Sequence, residues 1–382
     1  MNVVIAIDSF KGSLSSLDAG MAAAQGIQRA IPNANIAVRP IADGGEGTVE
    51  ALCVALGGVK ISIDVTGPLG DTVKADYGII PKSRTAVIEM SAASGITLVP
   101  EHKRNPLNTT SYGVGEIISD AIERGCRTFL IGIGGSATND GGIGMLQALG
   151  FDILNKDGNP VSKFGRGLEE VCSISGDNVN PNLWECSFTI ACDVKNPLCG
   201  EMGSSRIYGP QKGADEETII KMDKWLGNFA DISKNNFPDA NKDAEGAGAA
   251  GGLGFAFCTF LNGKLTAGIE LILRETRLEE YIKTADIVVT GEGRLDGQTV
   301  MGKAPVGVAA IAKKYGKKVI AFSGSAGSDA YLCNQNGIDA FFPIVRGACS
   351  LEEAMNTDTA FDNMADTVQQ VFRLINVLEY HG

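Results

Sequence analysis

The first fifty residues alternate two kinds of segment in an order that leaves few folds open. Residues 3–7 are a short β-branched run without polar alternation, the pattern of a strand buried on both faces. The loop 8–14 follows, and Ser15 with Asp18 forms a capping-box-like pair that starts a helix reaching about Ile31. Residues 32–35 turn the chain into a second strand, 36–40. A glycine-rich loop containing Asp43 and Glu46 then leads into another helix over 49–56. A β-loop-α-β-loop-α order calls for a parallel sheet with right-handed crossovers.

The same grammar returns near the other end, with strands expected at 286–290, 319–323 and 341–344. A helix over 304–315 takes Pro305 in its first turn, and an amphipathic helix over 360–378 closes the chain. Both ends therefore read as halves of one doubly wound α/β domain. The middle is different. Stretches 61–65, 74–80 and 86–90 look like strands without long helices between them, which hints at antiparallel pairing. Residues 127–133 form a buried strand running into glycines, and 101–108, 155–166 and 234–245 are polar loops. A chain of 382 residues exceeds one ordinary core. The expected organisation is a discontinuous domain from 1–70 and 281–382, interrupted by a second α/β domain of mixed sheet over 71–280. A cleft between the two is the expected ligand site.

Composition removes several classes of function. A net charge of −12 opposes a nucleic-acid partner. No apolar run reaches the ~18 residues of a membrane span, and residues 1–8 lack the basic start of a signal peptide, so a cytoplasmic enzyme is expected. Nine cysteines without a C-x-x-C pair read as reduced, buried thiols. His102 and His381 are the only histidines. Proton transfer therefore falls to a carboxylate or a lysine.

The 49 glycines cluster in motifs. In Gly132-Ile133-Gly134-Gly135-Ser136-Ala137-Thr138-Asn139-Asp140-Gly141-Gly142, a strand feeds a small-residue loop and a short helix over 143–149. Backbone amides and the helix dipole make this a phosphate-site candidate. It also satisfies G-x-G-x-x-A with Asp152 downstream, so a nicotinamide-dependent oxidoreductase acting on a small hydroxy acid is the alternative enzyme. The late start of the helix counts against it. Gly297 to Lys303 imitates a P-loop, but Ala304 stands where Ser or Thr would bind magnesium. Glu292, Arg294 and Asp296 are expected just beyond a parallel strand, where such sheets hold ligands. Asp8, Lys11 and Ser13 after the first strand and Asp43 and Glu46 after the second are expected on one sheet edge. Asp193 and Lys195 end another strand, and Lys212 lies in the turn-like loop 208–214. In 246–254, almost devoid of side chains, backbone must approach something closely.

Taken together, these segments resemble the type I glycerate kinase family. The matching motifs are 8–13, 42–48, 110–116, 134–142, 192–198, 208–213, 246–254 and 290–298, in consistent order from residue 8 to beyond 300. The resemblance implies ATP- and Mg²⁺-dependent phosphorylation of D-glycerate, with the 2-position favoured, in a monomer or homodimer. It also implies a flavodoxin-like fold for the doubly wound domain. On this footing Gly134, Gly135, Ser136, Thr138, Asn139, Gly251, Gly252 and Gly254 are expected around the nucleotide phosphates. Asp193 and Asp296 would hold magnesium or accept the hydroxyl proton. Lys11, Lys195 and Arg294 would neutralise the glycerate carboxylate and the transferring phosphoryl group. Ser13, Asp43 and Glu46 complete the expected substrate set. A non-catalytic sugar-acid binding protein is the remaining alternative.

Overall fold

The computed structural model describes residues 1–380, so His381 lies outside it. The chain divides into two compact units: Met1–Asp43, Glu50–Gly57 and Ile269–Gly382 in the first, Gly44–Val49 and Gly58–Gly268 in the second. The edges thus fall at 57/58 and 268/269, where 70/71 and 280/281 were expected.

In chain order the strands are β1 (Asn2–Ile7), β2 (Asn35–Val38), β3 (Val59–Thr66), β4 (Thr72–Ile80) and β5 (Thr85–Glu89). They continue with β6 (Thr128–Gly132), β7 (Asp152–Leu154), β8 (Ser173–Ser175), β9 (Ser187–Ala191) and β10 (Lys264–Thr266). The last three are β11 (Ile287–Leu295), β12 (Lys318–Ala326) and β13 (Ala340–Pro343).

The first unit holds a five-stranded sheet, ordered β13-β12-β11-β1-β2, with every neighbouring pair parallel. Numbered within the unit this is 2-1-3-4-5, the flavodoxin-like order. Val3, Ile5 and Ile7 share one core with Ala19, Ala23 and Ile27 of the helix Ser16–Ala30 and with Met364, Val368 and Phe372 of the helix Thr357–Tyr380. Ser15 caps the former helix, accepting the Asp18 N–H at 3.1 Å. The two helices approach so closely that a Cβ on Gly26 would strike the Ala365 carbonyl. The helix Ala304–Lys314 packs on β11, β12 and β1.

β11 and β12 run further than their apolar cores suggest. β11 was expected to end at Thr290, but its ladder with β12 continues through Glu292↔Ser323 to Leu295↔Ala326. The extension is polar, which hides it from hydrophobic patterning, and Gly291 allows the close approach of the Phe322 carbonyl. Glu292 and Arg294 therefore stand on a strand, not in a loop.

The second unit carries a mixed six-stranded sheet, β10-β9-β6-β5-β4-β3. β3–β4 and β4–β5 are antiparallel, and the remaining pairs are parallel. β3 pairs with β4 along its whole length, which is why the long stretch of the second unit starts at Gly58 and not near residue 71. Phe129 stacks on Phe188 at 4.8 Å within the core. β7 and β8 form a separate two-stranded ribbon. None of the nine cysteines is joined in a disulfide; only Cys126 and Cys333 are buried, so the expectation of buried thiols holds for two of them. Among the described residues no helix is long and apolar enough to cross a membrane.

Candidate functional site

Parallel strands deliver their following loops to one edge, and in the first unit that edge carries a cavity of about 460 Å³. Asp8, Lys11 and Ser13 reach it from the loop after β1, and Asp43 from the loop after β2. Glu292, Arg294 and Asp296 come from the end of β11, with Lys303 just before the helix Ala304–Lys314. An apolar wall faces them, built from Phe10, Ile344, Val345, Leu351 and Met355. Five of the residues expected at the site, Lys11, Ser13, Asp43, Arg294 and Asp296, are thus brought together.

Charge around this cavity is dense and incompletely paired. Lys11 Nζ stands 3.9 Å from Asp43 Oδ2 with its side chain 66% exposed, and Arg294 Nε lies 3.3 Å from Asp296 Oδ2. Such exposed pairs are weak and exchange readily for a ligand. Asp8 is different: it is buried, and its pKa is raised from 3.8 to about 7. Desolvation is the main cause, joined by the charges of Asp43 and Glu292 and opposed by the Ser9 N–H and Lys11. Burial also pushes Glu292 up, although it accepts the Thr299 hydroxyl at 2.6 Å and lies 3.7 Å from Lys303 Nζ. The hydroxyls of Ser9 and Ser13 are buried without a hydrogen-bond partner among the described residues, an unmet demand at the edge of this cavity.

In the second unit, Gly44–Val49 lies over the ends of the parallel strands. A Cβ on Gly44 would stand 2.6 Å from Ala191 Cβ, and Glu89 at the end of β5 accepts the Val49 N–H at 2.8 Å. Glu89 is itself raised to about 7, chiefly by burial, with Glu46 adding to the rise. Glu46 is exposed and stays with this segment, so it does not join Asp43 at the cavity. Asp193 is an exposed carboxylate after β9 that accepts the Gly268 N–H at 2.8 Å. Lys195 is 81% exposed and paired to Glu245 at 3.3 Å, with the geometry of a solvated surface ion pair.

The glycine-rich loop after β6 divides into two parts. Gly134 and Gly135 are exposed, and Gly135 has φ +71°. Ser136, Thr138, Asn139 and Asp140 are buried. Asn139 donates to Ser205 Oγ at 2.8 Å and accepts from Ser204 Oγ at 2.7 Å, and the Thr138 carbonyl accepts from Lys212. The Asn139 side chain and the Thr138 carbonyl thus tie the buried part of the loop to the segments beneath it, while the buried Thr138 hydroxyl has no hydrogen-bond partner among the described residues. The start of the six-residue helix Ile143–Ala148 is likewise occupied. Asp140, wholly buried, accepts the Gly142 N–H at 3.1 Å and the Ser111 N–H and hydroxyl at 2.8 and 2.7 Å. A buried carboxylate of the chain itself therefore meets the amide at this helix start.

Gly251, Gly252 and Gly254 are explained by packing. A Cβ on Gly251 would strike the Thr138 carbonyl, one on Gly252 would come within 2.7 Å of Gly141 Cα, and one on Gly254 would strike the Gly246 carbonyl. The close approach expected of 246–254 is real, but its partner is the chain itself. Three groups escaped the expected site list: Asp8, Glu89 and Lys212. Asp8 belongs to the same motif as Lys11, so the signal was present. Glu89 and Lys212 carry no sequence mark of their burial.

A flavodoxin-like sheet with a charged cavity at its ligand edge, in a chain whose second unit bears a glycine-rich strand-to-helix loop, defines an α/β enzyme acting on small anionic molecules. The model of the glycerate kinase family matches residues 3–376. A glycerate kinase of Halalkalibacterium halodurans is 49% identical over 92% of this chain and 93% of its own. The glycerate 2-kinase of Escherichia coli is 47% identical over 95% of both chains. The crystal structure of a putative glycerate kinase 2 from Salmonella typhimurium LT2 superposes with a TM-score of 0.91 at 43% identity, covering 100% of this chain and 99% of that one. The chain belongs to the glycerate kinase family. It is a kinase that phosphorylates glycerate, and ATP is the substrate this activity implies.

Proposed function

We propose that the enzyme transfers the γ-phosphoryl group of ATP to the 2-hydroxyl of D-glycerate in the cytoplasm, with the chemistry at the polar end of the first unit's cavity. The observation that carries this reading is the convergence of Lys11, Ser13, Asp43, Arg294 and Asp296 around one cavity holding a buried carboxylate poised near neutrality. Lys11 and Arg294 would meet the glycerate carboxylate and the transferring phosphoryl group, and the unpartnered Ser13 hydroxyl would bond to substrate. Asp8, with a pKa of about 7, is suited to accept the hydroxyl proton. This role replaces the one first assigned to Asp193.

The cavity is larger than a three-carbon acid fills, and its apolar wall offers such an acid nothing. Part of the nucleotide sharing the space would account for both features. The exposed amides at Gly134 and Gly135 would take nucleotide phosphates, with the buried Ser136 beneath them bonded to Lys212.

Magnesium fits as a companion of the nucleotide. Among the described residues there is no group of three or more metal-binding side chains that could cage an ion. Mg²⁺ in kinases is commonly held by one or two carboxylates together with substrate phosphates. Asp296, which lines this cavity, is the carboxylate that would serve there, and the bound ion would neutralise charge on the phosphoryl oxygens. Phosphorus NMR of the product tests the regiochemistry. A resonance coupled to the single C2 proton is expected, whereas coupling to the C3 methylene pair would refute transfer to the 2-hydroxyl.

A further inference from the structure

Lys212 closes the short turn Pro210–Lys212 and is 3% exposed. Its ammonium donates to Ser136 Oγ at 2.8 Å and to the Thr138 carbonyl at 2.6 Å. Both acceptors are neutral, and among the described residues no carboxylate forms an ion pair with it. Burial lowers its pKa to about 7, while the charge of Asp140 acts in the opposite direction. The turn that carries it is tightly seated: Gly213 has φ +88°, and a Cβ there would strike the Arg104 carbonyl.

A buried, unpaired lysine is an expensive way to fill a core position, since an apolar side chain of similar volume occupies it without desolvating a charge. Stability alone does not explain the residue. Its two acceptors are the first and third residues after the exposed Gly135, so the protonated amine sits within the same loop and favours an anion at its exposed amides. We propose that Lys212 is a positioning residue for phosphoryl transfer: its ammonium locks Ser136 and Thr138 and so aims the Gly134–Gly135 backbone at the nucleotide phosphates. This inference rests on the assignment of that loop to the nucleotide.

The test is steady-state kinetics on the full chain with ATP and D-glycerate, comparing Lys212→Met, Ser136→Ala and the double variant. Lys212→Met is expected to raise the KM for ATP roughly ten-fold or more, because small misplacements of a binding group are costly. The KM for glycerate should stay within about two-fold, and the thermal midpoint should not fall. Ser136→Ala should act in the same direction and add little once Lys212 is replaced, since the two work through one contact. A rise in the KM for glycerate instead would retain Lys212 as the positioning residue and overturn only the assignment of the loop to the nucleotide. If both KM values stay at wild type and activity merely follows the folded fraction, Lys212 is structural and the proposal fails. Should Lys212→Met not fold, Ser136→Ala alone decides: an unchanged KM for both substrates overturns the proposal.

Discussion

The charge of Asp43 helps keep a proton on Asp8, and Lys11, 3.9 Å from the Asp43 carboxylate, pulls the other way. Burial is the larger influence, and the Asp8 pKa stands near 7 in place of 3.8. Between those values the folded enzyme holds a proton that the unfolded chain releases. This contribution to stability is therefore full below about pH 3.8 and is lost as pH rises through about 7.

Asp8→Asn removes the charge that becomes costly at high pH. Its thermal midpoint should exceed that of the wild type at pH 8, with the difference closing near pH 4. In the wild type kcat/KM should rise with pH through about 7 as Asp8 ionises. The variant should lose that limb together with most of its turnover. Thermal melts and pH–rate profiles check both expectations; an unchanged profile would remove Asp8 from proton transfer.

Glu89 ties Gly44–Val49 to β5 by accepting the Val49 N–H at 2.8 Å. Glu89→Ala leaves that buried donor unanswered and should cost about 1–3 kcal/mol. Glu89→Gln keeps an acceptor and should cost much less. Denaturant midpoints of the two variants provide the comparison, and equal losses would show that the hydrogen bond is not what matters.

Asp193→Asn retains an oxygen for the Gly268 N–H and so should leave the fold intact. If Asp193 supplies a carboxylate to magnesium, kcat should fall roughly 100-fold, with partial recovery at raised magnesium. Unchanged turnover would exclude Asp193 from the reaction.

The sheet of the first unit was legible because its strands begin as β-branched runs and its helices announce themselves through Ser15 and Pro305. The extensions of β11 and β12 were not, since Glu292, Arg294 and Ser325 look like loop while pairing as strand. The cavity followed from topology: parallel strands placed Asp8, Lys11, Asp43 and Arg294 at one edge, as sequence order implied. The glycine-rich segments are ambiguous in sequence. Small residues permit both an anion and a neighbouring backbone to approach, and Gly251, Gly252 and Gly254 serve the backbone. Asp140 similarly shows that a helix start inviting an anion can be satisfied from within the chain. Lys212 was invisible as a buried residue because a lone lysine in a turn reads as solvated surface.

The central claim is that glycerate is phosphorylated at the first unit's cavity, which Lys11 and Arg294 both line. ADP release from ATP, with D-glycerate and magnesium present, tests it most directly in the wild type and in a Lys11→Met/Arg294→Met variant. Both side chains are largely exposed, 66% and 67%, so their loss should leave the thermal midpoint nearly unchanged. The wild type should release ADP only when glycerate is supplied, and the variant should turn over at least roughly 100-fold more slowly. Wild-type turnover in the variant would place the chemistry elsewhere in the molecule.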